Sequence, residues 1–238
     1  MQFHVSFSGP VAVPLAYQRL VQGLIYHALE SAPDYRRFLH ERGYGQGEKR
    51  IKCFTFGRLQ GRFVREGGTI TFPEGCNLEL RSSDPYMIQC LLAGLPLGSS
   101  QRIGQSEVKV LAARLDDRHV ISDSIEIGML SPVTVYQTLP DGKTDYAAPD
   151  EERFYSLIWQ NARSKWTELM GLPFPEDFTV EPLVVTPKDK VVTSYKGTYI
   201  TGWMGTYRLR GPQTLLDLLY QIGLGAKNSQ GFGMFQVL

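Results

Sequence analysis

One order of strand-like and helix-like periodicities runs through this chain twice, and that repetition limits the available folds more than any other feature. QFHVSFS (residues 2–8) alternates as a strand does. Residues 14–29 then read as a helix, with Tyr17, Leu20, Val21, Leu24 and Ala28 on one buried stripe. PDYRRFLHERG reads as a second short helix, capped by Asp34, with Tyr35, Phe38 and Leu39 as its apolar face and Gly43 as its end. Strands follow at residues 52–58 and 69–72, with a Glu-Gly-Gly turn between them, and NLELRS is a further strand. Residues 85–93 are predicted helical, and SEVKVLAARL closes the half. In the second half SPVTVYQTL is the predicted first strand and residues 151–170 a long helix. FTVEPLVVTP and TGWMGTYRLRG are strand-rich, PQTLLDLLYQIG is a helix and GMFQVL a last strand. Strand, helix, strands, helix, strand is the order of a ferredoxin-like unit. The expected fold is therefore α+β, with two tandem ferredoxin-like (RRM-like) βαββαβ domains, residues 1–118 and 119–238, joined around residues 116–122.

A chain of 238 residues is long enough for two small cores, and its net charge of +1 excludes a uniformly basic nucleic-acid coat while leaving room for a local patch. Cys53, Cys76 and Cys90 are odd in number and lack C-x-x-C spacing. That disfavours a disulfide framework or a zinc site and favours a reducing cytoplasm. No run approaches the roughly 20 apolar residues of a membrane span, and the N-terminus lacks the pattern of a secretory signal.

The stretch GLGAKNSQGFG, residues 223–233, sets Lys227, Asn228 and Ser229 between Gly223, Gly225, Gly231 and Gly233. A Walker loop and a dinucleotide fingerprint both run from a strand into a helix. This stretch runs from a helix into a strand, so neither applies. What remains is a loop whose glycines let backbone N–H groups approach an extended anion, with Lys227 adding charge and Asn228 and Ser229 donating to phosphates or base edges. On a ferredoxin-like sheet the natural extended anion is RNA.

A helix, then glycine–apolar–glycine, lysine-asparagine-serine, glycine–apolar–glycine and a last strand resembles the signature of the CRISPR repeat-processing endoribonucleases of the repeat-associated (RAMP) superfamily. LVQGLIYHALE, DYRRFLHERGY, KCFTFGRL, FYSLIWQ and VVTPKDKVV are similar to segments of that family in order and spacing, so the resemblance spans almost the whole chain. It implies cleavage of CRISPR precursor RNA within its repeats, without metal or other cofactor, to produce guide RNAs. CRISPR repeat RNA is then the partner, with a guide-RNA effector complex and a homodimer as further candidates, and no membrane.

The resemblance also implies three catalytic positions: Tyr26 of the L-I-Y segment, His40 of the F-L-H segment and Lys52 before the F-T-F strand. Helical periodicity independently turns Tyr26 and His40 off their buried faces, although taken singly such residues are ordinary surface groups. His27 is the competitor for the histidine role, but its position flanking the buried stripe favours packing. His4 and His119 have nothing to recommend them. Metal-free cleavage uses the ribose 2′-hydroxyl as nucleophile, giving a 2′,3′-cyclic phosphate and a 5′-hydroxyl. Histidine suits the proton transfers and lysine the phosphorane charge. Whether His40 is acid or base stays open. Lys188, Lys190 and Lys196, with Arg36, Arg37, Lys49 and Arg50 beside the proposed site, are the further RNA-binding candidates, and Asp189 interrupts the basic run. The competing readings are a repeat-RNA-binding protein with weak cleavage and a subunit of an effector complex.

Overall fold

The structure, a computed structural model, describes residues 1–45, 47 and 50–238. Its first half runs β1 (Gln2–Ser8), β2 (Val11–Pro14), α1 (Gln18–Ala28), α2 (Pro33–Arg37) and a π-helical turn (Phe38–Arg42). Then come β3 (Phe54–Phe56), β4 (Val64–Glu66), β5 (Thr69–Phe72), β6 (Gly75–Ser82), α3 (Pro85–Gly94), β7 (Ser100–Ile103) and β8 (Ser106–Asp116). The alternation of β1 buries Phe3, Val5 and Phe7 against Val21, Leu24, Ile25 and Ala28 of α1 and Met87, Ile88 and Leu91 of α3. The sheet is antiparallel in the order β3-β6-β1-β8-β7, which is ferredoxin-like with β7 added at one edge, and β2-β5-β4 form a small sheet beside it.

The second half runs β9 (Ser124–Met129), β10 (Tyr136–Thr138), β11 (Thr144–Tyr146), α4 (Glu152–Met170), β12 (Thr179–Val184), β13 (Lys190–Tyr195), β14 (Thr198–Trp203), β15 (Thr206–Arg210), α5 (Gln213–Ile222) and β16 (Phe235–Val237). Its sheet order, β12-β15-β9-β16, repeats the order of β3-β6-β1-β8. A second apolar cluster packs Phe154, Ile158 and Ala162 of α4 and Leu215, Leu216 and Leu219 of α5 on Ile125, Ile127, Tyr207 and Leu209. Among the described residues no helix is long and apolar enough to cross a membrane.

Several elements differ from expectation. The first strand of the second half is SIEIGM, not SPVTVYQTL. Within the latter, Val133 forms only an isolated bridge to Trp203 and Tyr136–Thr138 a short hairpin strand with Thr144–Tyr146. Helix α1 begins at Gln18 because residues 11–14 are held as β2 by pairing with Thr69–Phe72. The Glu-Gly-Gly turn joins β4 to β5, and only Phe54–Phe56 of residues 52–58 is strand. The basic connection after β12 is a hairpin of two full strands: Lys190–Tyr195 is β13, paired along its length with Thr198–Trp203.

Side chains donating to the carbonyls of residues 223–233 fix that loop within the second half and tie it to the first. The Lys165 ammonium of α4 reaches the Gly223 and Gly225 oxygens at 2.6 and 2.8 Å. Asn228 Nδ2 spans the Leu224 and Phe232 oxygens at 3.0 Å each. From the first half, Thr55 Oγ1 donates to Phe232 O (3.1 Å) and Gln22 Nε2 to Ser229 O (2.7 Å).

Burial pushes the Lys165 pKa down to about 7. Between that value and the ordinary 10.5 the unfolded chain binds more protons than the folded one. The desolvation penalty is therefore complete below pH 7 and is relieved as pH rises. Replacing Lys165 by Met orphans two buried carbonyls and destabilises the fold by about 2–4 kcal/mol. In parallel denaturant titrations at pH 6, 7.5 and 9, the stability gap between wild type and Lys165→Met is expected to widen with pH. A gap that narrows contradicts the assignment.

Candidate active site

The face of α1 opposite its buried stripe presents Arg19, Gln22, Gly23 and Tyr26, the i, i+3, i+4, i+7 positions of one helix side. Those residues line an open cavity of about 770 Å³. The Tyr26 ring is half-buried, edge-on to His40 with centroids 5.7 Å apart and planes at 82°, and 6.5 Å from the Phe54 ring. Tyr26 is thus no surface residue: neighbouring elements cover the side of α1 that periodicity alone leaves open. Burial, with a smaller contribution from Tyr195, pushes its phenol up to about 12, so it remains a proton-bearing donor at neutral pH.

His40 is delivered by the π-helical turn. The Gly43 N–H reaches back five residues to Phe38 O at 2.8 Å. Leu39 is fully buried while the next side chain, His40, stays exposed on the cavity wall. Such π turns are uncommon and often sit at functional sites. Lys52, in the segment leading to β3, donates Nζ to the carbonyl oxygens of Leu39 and His40, the latter at 2.7 Å. Two of its three ammonium hydrogens are spent there, and burial lowers its pKa. The next residue, Cys53, holds a left-handed backbone at φ 56°, which a side-chain-bearing residue adopts only under constraint. Tyr26, His40 and Lys52, which sequence reading singled out together, therefore meet at one cavity.

The same wall carries Arg36, Arg37 and Lys196. With Arg19 and Lys52 that makes five cations against one carboxylate, Glu41, among the described lining residues. Arg36 is 3.6 Å from Glu30, and Lys196 lies at the β13–β14 turn with φ 50°. That hairpin is drawn onto α1: the Tyr195 hydroxyl donates to Gln22 Oε1, and Thr193 Oγ1 to Gln18 Oε1 at 3.2 Å. Lys188 and Lys190 do not line this cavity. Lys188 lies in a 3₁₀ turn where Asp189 is engaged as a cap by Thr186, and the Lys190 ammonium is 6.0 Å from the Trp203 ring centre. Lys49 lies outside the described residues.

The glycine-rich loop differs from its predicted role. Gly223, Gly225, Gly231 and Gly233 are buried, and the N–H groups of Gly223, Gly231 and Gly233 donate to Leu219, Asn228 and Pro132 carbonyls at 2.8, 3.0 and 2.9 Å. Those three N–H groups are committed within the protein instead of being offered to an anion. At Gly231 (φ 86°) a Cβ would stand 2.6 Å from the Phe56 ring, and at Gly233 (φ 77°) 1.9 Å from Leu224 O. The Asn228 amide is consumed inside the loop, while Ser229 and Lys227 remain on a cavity wall, the Lys227 ammonium 4.6 Å from the Tyr136 ring centre.

The other histidines stand apart. His27 is exposed beside Glu30 at 3.0 Å, contrary to the packing expected of it. His4 is 3.4 Å from Asp116, and His119 is 2.8 Å from Asp217, whose hydrogen bond raises its pKa. Sequence reading missed Arg19, Gln22, Tyr195 and Lys165. The first two share the helix face of Tyr26 at i−7 and i−4, so that periodicity held the signal for them. Tyr195 and Lys165 have no local signal, because each acts through a segment distant in sequence.

Comparison with known proteins agrees with this geometry. The family model described as CRISPR associated protein Cas6, C-terminal, matches residues 115–237. The CRISPR-associated endoribonuclease Cas6 of Pyrococcus furiosus is 29% identical, over 94% of this chain and 83% of that protein. The CRISPR-associated endoribonuclease Cas6 1 of Methanocaldococcus jannaschii is 26% identical over 93% and 86%. Among solved structures, a Cas6-related protein from Pyrococcus furiosus superposes with a TM-score of 0.85 at 21% identity, covering 100% of this chain and 98% of that one. A structure described as an RAMP protein binding different RNA substrates gives 0.84 at 21%, covering 100% and 99%. With two ferredoxin-like halves tied by the glycine loop and more than half of its length matched by that family model, the chain belongs to the Cas6 family of CRISPR-associated proteins.

Proposed function

We propose that the protein is a metal-independent endoribonuclease that cuts CRISPR precursor RNA within its repeats to produce guide RNAs. The observation that carries this reading is the meeting of Tyr26, His40 and Lys52, drawn from three separate segments, in a cavity whose described lining residues include five cations and one carboxylate. Two curated relatives that span most of the chain are named CRISPR-associated endoribonucleases, which supports the same substrate class. In this reading residues 1–118 supply the catalytic side chains, and residues 119–238 supply the glycine loop and the hairpin bearing Lys196.

The ribose 2′-oxygen attacks the adjacent phosphorus and the bond to the 5′-oxygen breaks, leaving a 2′,3′-cyclic phosphate and a 5′-hydroxyl. One proton leaves the 2′-hydroxyl and one arrives at the departing oxygen. Imidazole exchanges protons near neutrality, so His40 serves one of these transfers. Tyr26, held as a phenol, donates a hydrogen bond that orients the nucleophile or the phosphate. Lys52 is fixed by two carbonyls and turns its remaining N–H to the charge growing on the phosphorane. Arg36, Arg37 and Lys196 neutralise the flanking backbone.

Incubation with the host's repeat RNA in EDTA is expected to give one cut per repeat, with a cyclic phosphate on the upstream fragment. Tight binding of RNA that stays intact both in EDTA and with added magnesium supports a repeat-RNA-binding protein or effector-complex subunit instead. Cutting that needs the metal removes the metal-free chemistry alone.

His40→Ala is expected to slow single-turnover cleavage by about 10²–10⁴-fold while RNA affinity stays within a few-fold. Unchanged turnover in that variant removes His40 from the chemistry.

A further inference from the structure

Lys52, which lines the first cavity with Tyr26 and His40, lines a second as well. This space of about 500 Å³ lies between the segment entering β3, the helix α4 and the glycine loop. Arg50, Lys165 and Lys227 join Lys52 on its walls, and no Asp or Glu is among its described lining residues. Four cations without a carboxylate are unexpected in a chain of net charge +1 with 24 acidic residues. Lys165 is buried with only carbonyl partners, and burial also lowers the pKa of Lys227. Burial penalises the charge of Lys165 and Lys227, and an entering anion offsets that cost.

The cavity also offers groups that recognise more than charge. Asn161 and Ser164, one helical turn apart on α4, both line it. Asn161 Nδ2 donates to Leu157 O at 2.8 Å, which leaves its Oδ1 as an acceptor. The volume lies in the range of small-ligand pockets, sufficient for one nucleotide and too small for a duplex. A shared wall at Lys52 makes this space the next stop for a strand whose scissile phosphate lies at the first cavity.

We propose that this second cavity is a single-nucleotide subsite. It takes one unpaired nucleotide next to the cleaved link, its phosphate between Lys227 and Arg50 and its base edge against Asn161 and Ser164. The proposal rests on the endoribonuclease reading and adds to it a position at which the repeat must be unpaired and its base is sensed.

The test pairs the double variant Asn161→Ala, Ser164→Ala with a set of repeat RNAs, each abasic at one position around the cut. Both substitutions place a strong helix former on half-buried positions of α4, and melting curves verify the fold. With wild-type protein, removing the base at one flanking position is expected to weaken binding by about tenfold. In the variant that one penalty disappears, while penalties at other positions persist. If every abasic penalty is the same in wild type and variant, the cavity reads no base and the proposal is overturned. If the variant does not fold, Ser164→Ala alone decides, with the penalty at that one position expected to shrink. Wild type on unmodified repeat RNA is the separate arm: binding and cleavage there uphold the enzyme reading whatever the variant does. Absence of both overturns the two together.

Discussion

The carbonyl oxygens of residues 223–233 are the groups on which both halves of the molecule close. Lys165, Asn228, Thr55 and Gln22 each direct an N–H or O–H at one or two of them, from α4, the loop itself, β3 and α1. A loop that leaves buried carbonyls unpaired costs about 1–3 kcal/mol for each. The chain meets that demand with side chains from both halves, and the loop becomes the hinge pin of their packing. The glycines follow from this placement. With Phe56 and Leu224 O standing where side chains would go, only a backbone without Cβ passes between the sheet and α5.

Fixing that loop also fixes the partition between two cationic cavities. Ser229 is tied to α1 through Gln22, and Gln22 also receives the Tyr195 hydroxyl, so one amide side chain sets the spacing between the glycine loop, α1 and the β13–β14 hairpin. Lys52 stands in the wall between the cavities, its ammonium held by the π-turn carbonyls. Positive charge is therefore concentrated along one path although the chain as a whole is nearly neutral, and local field rather than net charge governs what the surface attracts.

The two ferredoxin-like halves were legible because their buried faces follow simple periods: Phe3, Val5 and Phe7 at two, Val21, Leu24 and Ala28 at three and four. Reading failed where a segment is held by distant partners. SPVTVYQTL is as β-branched as SIEIGM, but Val133 and Thr134 are claimed by Trp203, Thr201 and the glycine loop, which keeps the segment out of the main sheet. The basic run of residues 188–196 gave no strand of its own in the sequence because its partner begins at Thr198, across a tight Lys-Gly turn, and the two pair only with each other. At the candidate site the pairing of Tyr26 with His40 was legible through family resemblance and helix phase. The inward use of the glycines was not, since a glycine that bends the chain toward a ligand and one that admits a neighbouring ring look alike in sequence.

The π-helical turn explains how a histidine beside a fully buried leucine faces the cavity. Closing a bond from Gly43 back to Phe38 widens the last turn of this helical segment, and the carbonyls of Leu39 and His40 then lie open to an outside donor. Lys52 fills that role and so does two things at once: it caps the turn that carries His40, and it sets its own charge on the wall of the cavity that His40 also lines. Position and electrostatics are coupled through one ammonium. A change at Lys52 acts on the placement of His40 as well as on charge, so under the proposed function Lys52→Ala is expected to slow cleavage more than Arg37→Ala does.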